Sequence, residues 1–173
     1  HERGQQKLKL EQNSEKIIIR GADFNLTFDR ERGALAGWET NGQQLLTRPL
    51  EHSFMRARTD NDYIIGNPGS YYEEWQNAGL DRVQTTVLEC RAGELAAGGV
   101  VVRSVTRHAA PDRECGILCT SLYTIRPGGE VQIENVVDTT ALPITTLPRI
   151  GMKLGLTAEF EQLSSGMKRR VLL

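Results

Sequence analysis

The densest cluster of chemistry-bearing side chains is Asp60-Asn61-Asp62, two carboxylates and an amide in three positions. Such a loop can accept hydrogen bonds from sugar hydroxyls, ligate a hard cation, or simply close Asx turns on its own backbone. A calcium loop would continue its oxygen donors at regular alternation, and Tyr63-Ile64-Ile65 supplies none. Glycoside hydrolysis needs two carboxyl groups about 5 to 9 Å apart across a sugar, a separation that Asp60 and Asp62 could meet by chance. Arg56 and Arg58 precede the acids and Arg149 follows a proline-rich stretch. A bidentate pair from Arg56 or Arg149 to Asp60 or Asp62 would lock the loop, and this structural reading is preferred. Tyr71, Tyr72 and Trp75 gather beside the acids. Aromatic faces stack on the C–H faces of sugars, but Trp75 is read first as a core residue.

The other reactive side chains assemble less readily. His1, His52 and His108 are scattered and polar-flanked, so no nucleophile, base and orienting group can be combined from them. Cys90, Cys115 and Cys119 are an odd number, too few for a disulfide scaffold, and read as small apolar side chains. Cys115-x3-Cys119 with His108 nearby has a metal-like spacing but lacks a second ligand pair, so neither a metal nor a cofactor is expected. If both cysteines lie on one strand, their spacing of four puts the thiols on one face.

The elements that must position these groups follow a period of two. Lys7-Leu8-Lys9-Leu10-Glu11 and Phe24-Asn25-Leu26-Thr27-Phe28 alternate, and Lys16-Ile17-Ile18-Ile19-Arg20 is a β-branched run. Asn41-Gly42 is a strong hairpin signal after Ala34-Leu35-Ala36-Gly37-Trp38, with residues 43–47 expected to return beside that strand. Longer strands are expected at 82–91, 99–109, 114–126 and 130–137, forming an antiparallel meander. Leu122, Tyr123, Ile125, Val131, Ile133 and Val137 are its expected core residues. A last strand at 149–156 follows Pro143 and Pro148, which suit an edge or a crossover. One short helix is expected near 70–78, with Ser70 as its cap, Glu73 three residues on and Gly79 beyond its end.

Composition narrows the classes further. The 173 residues carry 21 Lys+Arg against 22 Asp+Glu, a net charge of −1 without basic clustering, which argues against nucleic-acid binding. No apolar run approaches the roughly 18 to 20 residues of a membrane span, so no membrane partner is expected. The N-terminus has no signal-peptide pattern. A chain opening on His1-Glu2-Arg3 is expected to be cut from something longer, which leaves its compartment open. The length suffices for one core, and a single all-β domain spanning 1–173 is expected.

Taken in order, several segments resemble a known family. These are Phe28-x4-Gly33-x-Leu35, Asn41-Gly42-Gln43-Gln44-Leu45-Leu46, Phe54-Met55-Arg56-Ala57-Arg58-Thr59-Asp60-Asn61-Asp62, Trp75-x2-Ala78-Gly79-Leu80 and Leu147-Pro148-Arg149-Ile150-Gly151. Together they resemble the C-terminal domain of the family 2 glycoside hydrolase β-galactosidases, which in some of these enzymes is a separate small subunit. The resemblance runs from about residue 7 to 162, and the Arg-Ala-x-Thr-Asp-Asn-Asp block followed by Trp-x2-Ala-Gly-Leu is its specific part.

Two features depart from the pattern. Arg58 stands where the family usually has proline, which loosens the loop and adds a charge. After Phe160-Glu161-Gln162 the family continues with a Trp-Tyr-Gly-x-Gly-Pro type segment and as much chain again, whereas here residues 163–173 form an atypical tail. A frameshift is one reading of that tail. Spelled CTG TCG AGT GGT ATG AAA, residues 163–168 read from the third base as Val-Glu-Trp-Tyr-Glu.

The resemblance implies an antiparallel β-sandwich of the galactose-mutarotase-like supersandwich type, here incomplete. It also implies a separate (β/α)8 barrel carrying the catalytic glutamates, so no catalytic residue is expected in this chain. Arg56, Asp60, Asn61, Asp62, Trp75 and Arg149 become candidate sugar or interdomain contacts. The implied partners are the remaining domains or the large subunit of a β-galactosidase, a second copy of the chain, or a galactoside. A stand-alone carbohydrate-binding module and a purely structural interface domain are the alternatives.

Overall fold

The computed structural model describes residues 7–62, 70–157 and 171–172, the last two by their backbone alone. Five strands open the chain: β1 (Lys9–Gln12), β2 (Lys16–Arg20), β3 (Phe24–Asp29), β4 (Ala34–Thr40) and β5 (Gln43–Gln44). They pair in sequence order as an antiparallel meander. The hairpin between β4 and β5 turns on Asn41 (φ 49°) and Gly42 (φ 77°), the two consecutive positive φ angles of a type I′ turn.

A second meander consists of β7 (Gln84–Glu94), β8 (Val100–Ala109), β9 (Ile117–Ile125) and β10 (Val131–Asp138). The short strand β12 (Val171–Leu172) runs parallel to β10 at its edge. The expectation for the tail otherwise lies outside the described residues.

Alternation explains the layers. In β3, Phe24, Leu26 and Phe28 are buried while the residues between them are half-buried. Ile17 and Ile19 do the same in β2. Their faces meet Val100, Val102, Tyr123, Ile125 and Val131 of the second sheet in one apolar core. There the Phe28 and Tyr123 rings pack edge to face, centroids 4.9 Å apart. The arrangement is an all-β, antiparallel sandwich, as expected. Leu122 is a correction: on β9 it points opposite to Tyr123 and Ile125, so it lies outside that core.

The return strand after Gly42 also differs from expectation. Gln43 and Gln44 pair with β4 and the Leu45 amide donates to the Trp38 carbonyl at 2.7 Å, after which the chain continues alongside β4 as β6 (Leu46–Ser53), whose ladder is made with β11 (Gly151–Leu156) in a separate two-stranded sheet. Leu45 and Leu46 are both buried, and neighbours on one regular strand point to opposite faces, so the chain bends here to bury both. Pro49 is tolerated because β6 has a ladder partner on one side only.

Beyond the first sheet, the second is covered by α1 (Tyr71–Asn77) and the loop 139–150. The Ser70 side chain accepts from the Glu73 amide at 3.2 Å, and Gly79 (φ 80°) follows the helix as anticipated. Trp75, Ala78 and Leu80 join Phe54, Ile117, Cys119 and Leu142 in a second buried cluster. Among the described residues no helix is long and apolar enough to cross a membrane.

Candidate functional site

The acidic block folds into a single 3-10 turn, Asp60–Asp62. Asp62 points inward, and its two carboxylate oxygens accept from Arg56 Nη1 and Nη2, each at 2.8 Å. The Thr59 amide (2.6 Å) and hydroxyl (3.1 Å) donate to the same carboxylate. These donors, the Arg56 guanidinium first, hold the Asp62 carboxyl down at about 2. Asp62 is therefore a fixed anion at neutral pH and cannot serve as a general acid. Arg56 also donates through Nε to the Pro148 carbonyl at 3.0 Å, tying the turn to the loop before β11.

Trp75 sits under this clamp. It is 2% exposed, with the Arg56 guanidinium 5.3 Å from its ring centre and Tyr72 packed edge-on. Its Nε1 donates to the Thr146 carbonyl at 3.0 Å. Arg58, at the position where the resemblance expects proline, lies 5.8 Å over the Tyr72 ring. Of the six residues singled out from the sequence, the fold thus brings together Arg56, Asp62 and Trp75. Asp60, Asn61 and Arg149 lie exposed on the surface nearby.

A second constellation escaped the sequence analysis. Along the inner face of β8 and β9 the cross-strand pairs run Val100–Ile125, Val102–Tyr123, Ser104–Ser121, Thr106–Cys119 and His108–Ile117. The first two pairs belong to the main core and Ile117 and Cys119 to the second cluster, so the strip between them is polar. Ser104, Thr106, His108 and Ser121 are all buried there. Burial is affordable because partners exist: Ser104 Oγ donates to the Gly33 carbonyl at 2.7 Å. His108 Nδ1 lies 3.0 Å from Thr85 Oγ1, and its Nε2 lies 2.9 Å from Thr106 Oγ1.

His52, at the end of β6, joins this strip. Its Nε2 lies 3.2 Å from Asn135 Oδ1, and its ring centre is 5.2 Å from that of His108. Burial, and secondarily the neighbouring His52, pushes His108 down to about 4. Burial pushes the Cys119 thiol up to about 12. A cavity of about 340 Å³ opens beside the strip, and its lining includes His52, Thr85, Thr106, His108 and Tyr123 together with the charged Glu31, Arg32 and Glu51. Cys115 is not part of this group. It precedes the start of β9 at Ile117, so the shared-face arrangement expected for the two cysteines does not arise. The signal that could have exposed the strip is the run Ser104, Thr106, His108 at alternate positions continuing the apolar row Val100, Val102.

Comparison with known proteins accords with the earlier resemblance. Residues 20–164 match the family described as β-galactosidase small chain. A β-galactosidase of Vibrio cholerae is 29% identical over 152 residues, covering 84% of this chain and 14% of that protein. Those of Psychromonas ingrahamii and Yersinia enterocolitica are 30% and 28% identical, and the match covers 15% of each. The chain thus spans about one-seventh of the length of the relatives it matches. With 145 consecutive positions matched, from residue 20 to residue 164, the chain belongs to the β-galactosidase small-chain family.

Proposed function

We propose that this chain is a non-catalytic part of a β-galactosidase, supporting the hydrolysis of terminal β-D-galactosides whose chemistry resides on other polypeptide. The observation that carries this reading is the extent of the matches: most of this chain aligns with about 14% of a β-galactosidase. The chemistry of the acidic turn agrees. Glycoside hydrolysis requires one carboxyl to hold a proton near neutrality, and Asp62 is committed to Arg56 as an anion.

The surface favours an interface role. Leu118 (37% exposed) and Val136 (68% exposed) lie diagonally opposed on the outer face of the second sheet, and Leu88 (57% exposed) lies at the bulge in β7. A large apolar side chain held in water by a rigid sheet gains about 25 cal/mol per Å² when covered. The remaining domains or a large subunit would supply that cover. Co-expression with a β-galactosidase polypeptide that lacks its own small-chain region tests the proposal. The two should co-purify, and β-galactosidase activity should require both; activity of the companion that is indifferent to this chain contradicts the role.

A further inference from the structure

We propose that His52, His108 and Cys119 form a binding site for one divalent transition-metal ion of the zinc class, pinning β6 to the β8–β9 pair. The proposal is independent of the galactosidase reading.

The ligating atoms of the three side chains all lie within 4.8 Å of one another. Two imidazoles and a thiolate are the donor set that zinc and its borderline neighbours prefer; magnesium and calcium demand oxygen. The three residues come from three strands and converge although 67 positions separate His52 from Cys119 in the sequence. A shift of about 1 Å would bring such atoms to the ligand spacing that bond lengths of 2.0 to 2.3 Å imply.

Second partners are in place for both imidazoles. Asn135 Nδ2 donates to Met152 Sδ, and its Oδ1 accepts from Ser121 Oγ, which fixes the amide so that Oδ1 faces His52 Nε2. His52 Nε2 is then the protonated nitrogen, and the ring keeps a lone pair on Nδ1. His108 has a hydroxyl on each nitrogen, so one can orient the ring while the other gives way. The cavity lined by both imidazoles gives a water access to them as fourth ligand, while Cys119 approaches from the buried side. Both histidines bind in the neutral form; the single proton released comes from the Cys119 thiol and passes to the buffer.

Cobalt(II) titration of the folded 173-residue chain tests this, with folding checked by far-ultraviolet circular dichroism. The expected result is one cobalt per chain, a thiolate-to-cobalt charge-transfer band, and loss of that band on adding equimolar zinc. Cys119→Ser should abolish the band and Cys115→Ser should keep it. His52→Gln, at a half-buried position, should weaken zinc binding by about 100-fold or more, exceeding the usual cost of losing an outer partner. A folded chain without the band, a band that survives in Cys119→Ser, or unchanged zinc affinity in His52→Gln overturns the site. Should Cys119→Ser fail to fold, the wild-type titration and His52→Gln decide alone.

Discussion

Arg56 and Asp62 face each other through two parallel N–H···O bonds of 2.8 Å, six positions apart in sequence and joined across one 3-10 turn. The pair is the hinge between the acidic block and the loop before β11, because the same guanidinium also binds the Pro148 carbonyl. Fork-to-fork geometry makes it directional, so lysine cannot replace Arg56 without losing one of the two bonds.

The pair carries a pH signature. Asp62 titrates at about 2 in the folded chain, below the roughly 3.9 of an unperturbed aspartate, so its stabilisation is fully present above the latter value and is lost as pH falls through the former. Asp62→Asn should lower the thermal midpoint by several degrees at neutral pH. The gap from the parent should hold down to mildly acidic pH and close towards the acid end of that window, as thermal unfolding across pH would show.

Trp75 separates packing from hydrogen bonding. Trp75→Ala empties a site that is 2% exposed and should cost about 3 to 5 kcal/mol in urea unfolding. Trp75→Phe retains most of the ring and loses the bond to the Thr146 carbonyl, so the loss should be nearer 1 kcal/mol. Equal losses would place the indole outside the core.

Two glycines at positive φ should respond unequally to alanine. A Cβ on Gly79 would stand 2.4 Å from the Ala110 side chain, whereas one on Gly42 meets nothing within 4 Å. Gly42→Ala should therefore carry only the backbone penalty of about 1 kcal/mol, and Gly79→Ala distinctly more. Chemical denaturation of the two variants side by side checks the order.

The exposed apolar face predicts association of the isolated chain. Light scattering at high concentration should find dimers or larger species, and placing charges at Leu118→Glu and Val136→Lys should return the chain to monomer. A parent chain that stays monomeric would remove this argument for an interface.

What could be read from the residues follows the range of the interactions involved. The isoleucine run of β2, the Asn41-Gly42 turn and the Ser70, Glu73 and Gly79 signals around α1 act within a few positions, and each is found where local chemistry put it. The sequence allows four pairings of Arg56 or Arg149 with Asp60 or Asp62, and the folded geometry selects Arg56 with Asp62. The change of ladder partner from β4 to β11 at the start of β6 coincides with burying both Leu45 and Leu46, a demand set by tertiary packing. The histidine strip was hidden for a related reason: His52 on β6 and His108 on β8 belong to different sheets, and 56 positions separate them in the sequence.

Turnover of a chromogenic β-galactoside by this chain alone, purified from a host lacking β-galactosidase, decides whether the reacting groups lie on other polypeptide. No hydrolysis above the buffer rate is expected at any chain concentration. Hydrolysis that rises in proportion to the chain and survives repeated purification would put the reacting groups on this chain instead.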